Sequence, residues 1–307
     1  MKRFQGLLQV VLGVVAAMPV GVLAGDSDSP HTRSRDVIYG RKYGLALTMD
    51  VFCPKTAAKG VGVVLVVSGG WSSAPEFINE SLIAPLTERG YTVFAVVHAS
   101  QPKFTIPEIL EDLQRAVRYI RHHAEELAID PERIGLVGGS SGGHLALMQA
   151  TAGALGDPEA EDPVNRASGR VQAVACFFPP TDFLNYGEIG EIVLGRGILA
   201  HYQAPFAFHE YDPSHNRFVP IEDESRVQEI GRAISPISHV SGDDPPTLLF
   251  HGDADMLVPL QQSQRLVEAL EAVGVPTLLV VREGAGHGWP RMAEQVGFRR
   301  LRRDVRS

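Results

Sequence analysis

A run of apolar, β-favouring residues, Ile134 to Val137, leads without a break into Gly138-Gly139-Ser140-Ser141-Gly142-Gly143-His144, and a helical stretch follows from Gly142 to Thr151. No other segment constrains the fold as much. A buried strand, a tight glycine-lined turn and a helix must occur in that order, and G-x-S-x-G spacing in that setting marks a nucleophile elbow. The turn imposes strained backbone angles on the serine. Its neighbours must be small because strand and helix approach closely there. The hydroxyl is then held at the carboxyl edge of a sheet, where a helix N-terminus favours negative charge. Two frames fit, Gly138-x-Ser140-x-Gly142 and Gly139-x-Ser141-x-Gly143, and spacing alone does not separate them. A phosphate-binding loop is the competing reading, but the segment has no Gly-Lys-Ser/Thr ending and no G-x-G-x-x-G with a suitable acid downstream.

The rest of the chain reads as strands alternating with helices. Leu45 to Phe52 is a strand, paired with Asp36 to Tyr39 in a hairpin. Gly62 to Val67 and Tyr91 to Val97 are continuous apolar runs, the mark of strands buried on both faces. From Ile106 to Leu127 the spacing of Leu110, Leu113, Val117 and Ile120 predicts a helix. Val171 to Phe178, Thr247 to Phe250 and Thr277 to Val281 complete the strand set, with a helix at Leu266 to Val273. Such alternation builds βαβ units and a mostly parallel sheet. The exception is 183–232, a long connection rich in aromatics that include Tyr186, Tyr202, Phe206, Phe208, Tyr211 and Phe218. A connection of that length is usually functional, and it reads as a cap over a pocket, with Tyr186 and Tyr202 as candidate substrate contacts. The competing reading is a peripheral subdomain with a small core of its own.

At the start, Lys2 and Arg3 precede the uncharged run Leu7 to Leu23, and Val22-Leu23-Ala24 ends in small residues before Gly25. This is the pattern of a secretory signal peptide over 1–24, and the run is marginal in length for a bilayer-spanning anchor. A polar linker over 25–35 and one domain over 36–307 follow. The expected location is periplasmic or secreted, with no stable membrane insertion after cleavage. Lys plus Arg total 28 against 36 Asp plus Glu, a formal charge of −8, so nucleic acid is a poor electrostatic partner. The basic run Phe298 to Arg303 reads as a solvated helix end. Two cysteines, Cys53 and Cys176, cannot form a disulfide framework or a four-thiolate zinc site, and they read as buried free thiols, with a Cys53–Cys176 bond as the alternative.

A serine nucleophile needs a base, and in elbow-bearing hydrolases the acid follows the serine and the histidine comes last. His251-Gly252-Asp253-Ala254-Asp255 lies directly after one predicted strand, and Gly284-Ala285-Gly286-His287-Gly288-Trp289 after the next. Of 11 histidines, His287 alone has this place. Asp255 is the expected acid, Asp253 a turn former and Asp182 the reserve candidate. Ser68-Gly69-Gly70-Trp71 follows the Gly62–Val67 strand, so the N–H groups of Gly70 or Trp71, with that of Ser141, are the expected oxyanion donors. Trp71 either lines an acyl pocket or packs against the cap. No His/Cys/Asp set has metal-ligand spacing, and no metal or organic cofactor is expected.

Gly138 to Ala146 resembles the G-x-S-A-G-G-H-L-A elbow of secreted α/β-hydrolase esterases, the group that includes bifunctional feruloyl and acetylxylan esterases. That group lies near the hormone-sensitive-lipase and prolyl-oligopeptidase-type hydrolases. Leu47 to Pro54, Asp130 to Ile134, Ser235 to Val240, Asp243 to Pro246, His251 to Pro259 and Gly286-His287-Gly288 are similar to further motifs of the group, so the likeness runs over about 36–295. It implies an α/β-hydrolase fold: a mostly parallel central sheet, helices on both faces and a cap insertion. It also implies Ser140 rather than Ser141 as nucleophile, and a serine carboxylic-ester hydrolase acting on a small-molecule or polysaccharide-linked ester. The chain departs from the pattern in three places. Ser68-Gly69-Gly70-Trp71 stands for the usual His-Gly-Gly-Gly-Trp, Ser141 for an alanine, and the 183–232 insertion is longer than a minimal member needs. The alternatives are a serine peptidase of prolyl-oligopeptidase type, which would carry a large extra N-terminal domain, and a non-catalytic hydrolase-fold binding protein.

Overall fold

The computed structural model describes residues 29–288. The expected signal peptide, the first residues of the expected linker, Trp289 and the basic run at 298–303 lie outside the described residues. The strands, in chain order, are β1 (His31–Lys42), β2 (Leu45–Pro54), β3 (Val61–Val67), β4 (Tyr91–Val97), β5 (Ile134–Gly139), β6 (Ala173–Phe177), β7 (His209–Asp212), β8 (Arg217–Pro220), β9 (Thr247–Gly252) and β10 (Thr277–Arg282). Eight of them form one sheet in the order β1-β2-β4-β3-β5-β6-β9-β10. The pairs β1·β2 and β2·β4 are antiparallel, and every later pair is parallel. All carboxyl ends of the parallel strands therefore open on one rim. A parallel pair needs a crossover connection, and the helices supply it: α1 (Glu80–Thr87), α2 (Ile106–His122), α3 (Ser141–Ala152), α4 (Glu224–Ala233) and α5 (Gln261–Ala272).

The strand sequences explain the two-sided core. In β3, Val63, Leu65 and Val67 join one apolar cluster with Ile83 and Leu86 of α1. Val64 and Val66, one step out of phase, join the other with Ile109, Leu113, Val117 and Ile120 of α2 and Leu266 and Leu270 of α5. Alternation at a period of two sends neighbours to opposite faces, so a strand apolar at every position must be covered twice. Each fully buried aliphatic of this kind contributes about 1.5–3 kcal/mol of transfer free energy. Helix α2 begins after Thr105, whose backbone N–H donates to Glu108 Oε2 at 2.8 Å in a capping box. It ends at His122 rather than Leu127. The chain turns away through Ala128, which lies in the left-handed region at φ 52°.

The linker boundary also needs correction. Strand β1 begins at His31, inside the stretch that reads as linker, because its polar residues pair with a buried strand. Thr32 to Ser34 register with Cys53 to Val51, and the Arg33 guanidinium reaches the buried Asp50 carboxylate at 2.6 Å. Tyr43 and Gly44 close the β1·β2 hairpin at φ 46° and 80°, the left-handed pair that two-residue hairpin loops demand. Cys53 and Cys176 are free thiols; Cys176 is buried, whereas Cys53 is only half-buried. Among the described residues no helix is long and apolar enough to cross a membrane.

The excursion at 183–232 is anchored at its base by Phe183 N–H, which donates to Ser235 Oγ at 3.1 Å. It contains α4 and a small antiparallel hairpin of β7 with β8. Its aromatics divide. Phe183, Tyr186, Phe206 and Phe208 belong to the main core, so it is not a subdomain with a separate core. Tyr211 and Phe218, on the hairpin, are exposed and pack on each other at 5.5 Å.

Candidate active site

Ser140 stands between β5 and α3 at φ 53° and ψ −123°, a conformation an L-residue holds only when its surroundings enforce it. The enforcing contacts separate the two reading frames. A Cβ on Gly138 would lie 2.2 Å from Gly142 O and one on Gly142 would lie 2.7 Å from Val66 O, so both positions must be bare backbone. A Cβ on Gly139 would meet only ordinary contact, 3.6 Å from the Phe178 ring. The indispensable glycines are therefore the pair that flanks Ser140. Its N–H donates to Phe177 O at 2.9 Å, and its carbonyl accepts the first helical bond from His144 N–H. Ser141 is fully buried, with its hydroxyl 3.0 Å from Ser68 Oγ, which removes it from the rim.

Ser140 Oγ donates to His287 Nε2 at 2.9 Å, and His287 Nδ1–H donates to Asp255 Oδ2 at 2.7 Å. The three residues sit on loops that leave strands of the one sheet at its carboxyl rim. The Asp255 side chain is enclosed, while His287 keeps 21% of its side chain open. The other carboxylate oxygen, Oδ1, accepts the backbone N–H groups of Leu257 and Val258 at 3.0 and 2.9 Å. Burial by itself raises the Asp255 carboxyl. The polar groups of His251, His287 and Val258 N–H outweigh it and hold the acid well below the usual carboxylate range. The His251 contribution is that of a near dipole. Its Nε2–H lies 3.6 Å from Asp255 Oδ2 but donates to Val258 O at 2.8 Å, so it orders the acid loop more than it bonds the acid.

The reserve acid is not at this site. Asp182 is buried, and its Oδ2 accepts from Arg265 Nη1 at 2.6 Å and from Asn185 Nδ2 at 3.0 Å. Asp253 behaves as the expected turn former, with Oδ1 accepting Gly284 N–H at 2.6 Å and so joining the acid and histidine loops.

The loop after β3 is a tight turn. Gly69 and Ser72 exchange two backbone hydrogen bonds, at 2.9 and 3.0 Å, and Gly70 and Trp71 form the tip at φ 55° and 60°. Among the described residues the N–H groups of Gly70, Trp71 and Ser141 have no intramolecular acceptor. Backbone donors left free beside a nucleophile are what an oxyanion needs. The Trp71 side chain, however, is not a pocket wall. It is 2% exposed, ringed by Phe183, Tyr202 and Phe206, with its indole N–H donated to His144 Nδ1 at 3.1 Å. Tyr186 is corrected likewise: it is buried, and its hydroxyl donates to Leu257 O at 3.1 Å, bracing the acid loop. Tyr202 stays at the site's border. It is half-buried, and its ring lies so close over Gly70 that a Cβ there would come within 2.4 Å of it.

Three residues of the site region escape the sequence reading. His251 and His144 are fully buried imidazoles whose partners lie on other elements. Burial lowers the His144 pKa to about 4, an effect its bond to the Ile234 carbonyl opposes only in part. Phe178 sits at φ 41°, with its ring edge-on to His287 at 4.6 Å. Only the Gly-Gly-His run around His144 offers a usable sequence signal, because a histidine so near the elbow must face the core beneath it. Among the described residues no group of three or more His, Cys, Asp or Glu side chains is placed to hold a metal ion.

The chain matches the BD-FAE family over residues 49–270. It is 28% identical over 254 residues to the probable carboxylic ester hydrolase LipM of Mycobacterium tuberculosis, a match that covers 79% of this chain and 53% of that protein. It is 27% identical over 260 residues to the isoprenylcysteine alpha-carbonyl methylesterase ICME of Arabidopsis thaliana, covering 82% and 56%. The chain thus spans about half the length of the curated relatives it matches. The acetyl ester-xyloside bifunctional hydrolase from Caldicellulosiruptor lactoaceticus has a similar structure, with a TM-score of 0.69 at 22% identity over 89% of this chain and 93% of that one. Strand order and this likeness together give the α/β-hydrolase fold.

Proposed function

The chain belongs to the BD-FAE family, and from that premise we propose that it is a serine carboxylic-ester hydrolase working through an acyl-enzyme. The observation that carries the proposal is the unbroken hydrogen-bond chain from Ser140 Oγ to His287 to Asp255, at 2.9 and 2.7 Å. Ser140 Oγ attacks the ester carbonyl and passes its proton to His287 Nε2. The oxyanion is held by the N–H groups of Ser141 and of Gly70 or Trp71. The tetrahedral intermediate collapses, the C–O bond to the alcohol breaks, and His287 returns the proton to the leaving oxygen. Water then attacks the acyl-Ser140 carbonyl with His287 as base, and the carboxylic acid departs. Asp255, held ionised, keeps the Nδ1–H tautomer and stabilises the imidazolium.

The acyl and alcohol groups are a finer matter. Acetyl and feruloyl esters of carbohydrate head the panel, supported by the resemblance of the motifs and by the acetyl ester-xyloside hydrolase that shares the fold. Acetate, butyrate, ferulate and long-chain esters, set beside aminoacyl amides, would rank these against each other and against peptidase action. The decisive measurement is fluorophosphonate labelling of wild type and Ser140→Ala. Wild type is expected to label and the variant to lose label and about 10⁶-fold of turnover, as in triad knockouts. A Ser140→Ala variant that still turns over would sink the assignment.

A further inference from the structure

We propose that His144 is a positioning residue that fixes the oxyanion loop through Trp71. The inference rests on the ester-hydrolase reading and goes beyond it, since His144 touches neither the nucleophile's hydroxyl nor any group in the proton path.

The loop needs an external hold. Trp71 is a bulky residue in the left-handed region at φ 60°, a conformation that persists only where the surroundings over-determine it. The hold on its indole comes from His144. The indole N–H of Trp71 donates to His144 Nδ1 at 3.1 Å, and His144 Nε2–H donates in turn to Ile234 O at 2.7 Å. Both ring nitrogens are therefore used, and the tautomer is set by its neighbours: Nδ1 must keep its lone pair. The imidazole is fully buried, so losing either partner leaves a polar atom with no water to replace it. His144 is also tied to the nucleophile, because its backbone N–H bonds Ser140 O at 2.9 Å. One residue thus grips the backbone that carries the nucleophile and the side chain that carries the oxyanion loop.

A second tie lies one turn back on the same helix. Ser141 Oγ meets Ser68 Oγ at 3.0 Å. Positions three apart on a helix share a face, so α3 presents Ser141 and His144 side by side to the loop. The two ties bracket the free N–H groups of Gly70 and Trp71. Ser68 and Ser141 both depart from the esterase pattern, and they meet each other. The hydroxyl pair is a second hold on the loop.

Loss of one oxyanion donor costs about 10²–10³-fold in kcat, and a donor displaced rather than deleted costs less. Trp71→Phe keeps an aromatic ring and removes the N–H. Its kcat on p-nitrophenyl butyrate is expected to fall by about 10- to 100-fold with KM within about threefold, a split that loosened packing alone would not give. His144→Gln, which offers one acceptor and one donor, should return kcat to within about fivefold of wild type, whereas His144→Phe should match Trp71→Phe. The two cuts should not add when combined, as expected for residues acting through one bond. If Trp71→Phe does not fold, His144→Phe makes the same cut from the other partner and should lower kcat by about 10- to 100-fold at unchanged KM. Wild-type kcat in whichever of these two variants folds, or equal losses in kcat/KM through KM alone, overturns the inference. A wild-type protein with neither ester turnover nor fluorophosphonate label overturns the ester-hydrolase reading and this inference with it.

Discussion

The rim that carries Ser140, Asp255 and His287 and the excursion at 183–232 meet at one site but are placed by different forces. On the rim each side chain sits shortly after a strand, and the strands are locked in register. β9 and β10 pair from Thr247 with Thr277 through Gly252 with Arg282, so the acid and histidine loops must leave side by side. Backbone hydrogen bonds fix the site's geometry before any side chain is considered. The excursion has no such ladder to the sheet. It is held by its base at Phe183 and Ser235, by scattered hydrogen bonds such as those of Tyr186 to Leu257 O and of Gln261 and Gln262 to Asn185 O, and by aromatic packing, with Trp71 meeting Phe206 at 5.2 Å and Tyr202 at 6.0 Å. The rim should therefore lose function sharply and keep its fold, whereas the excursion should lose stability first.

Asp255→Asn tests the rim. The amide can still accept from Leu257 and Val258 N–H, so circular dichroism should be unchanged. The Nδ1–H tautomer of His287 loses its partner, and kcat should drop by about 10⁴-fold, roughly 5 kcal/mol of barrier. A fall of less than about tenfold would break the contrast on its functional side. Phe206→Ala tests the excursion. It deletes a buried ring between Trp71 and Phe183 and should cost about 3–5 kcal/mol of stability in urea unfolding, with turnover affected far less than in Asp255→Asn. If turnover collapses with no change in stability, the two regions are not separable in this way.

The smallest effect per side chain comes from pH. Burial lowers the pKa of both His98 and His144 to about 4. Their unfolded forms protonate near 6.5, so between about 6.5 and 4 the unfolded chain binds protons that the folded chain refuses. Folding stability should decline over that window as pH falls, by on the order of 3 kcal/mol for each imidazole. Asp255 adds little there, since its carboxyl is held well below the usual range when folded and is also largely ionised above about pH 4 when unfolded. Urea midpoints that fail to move between about pH 7 and 4.5 would contradict this account of the buried histidines.

The same contrast explains what can be read from the sequence. Ser140, Asp255 and His287 are legible because each belongs to a short strand-ending motif whose residues meet through the sheet. The elbow glycines record a contact only four positions apart. Trp71 and Tyr186 mislead as substrate contacts because their partners lie far along the chain: His144 and Phe206 for one, Leu257 for the other. Helix α1 leaves no periodic signal because it is short and carries Pro85. Helix α4 leaves one inside the excursion, an Asp223 cap accepting from Ser225 and Arg226 N–H, that the aromatic content of the segment overshadows. No local pattern announces that Phe178 will lie against His287, since that contact exists only once β6 and β10 occupy one sheet.

The Asp255 carboxylate divides its two oxygens. Oδ1 closes the turn of its own loop onto Leu257 and Val258, and Oδ2 steers the imidazole. One atom belongs to the architecture and its twin to the proposed reaction, across a span of a single carbon. A glutamate, one methylene longer, could reach the ring or staple the loop, but it would have to abandon one duty to perform the other.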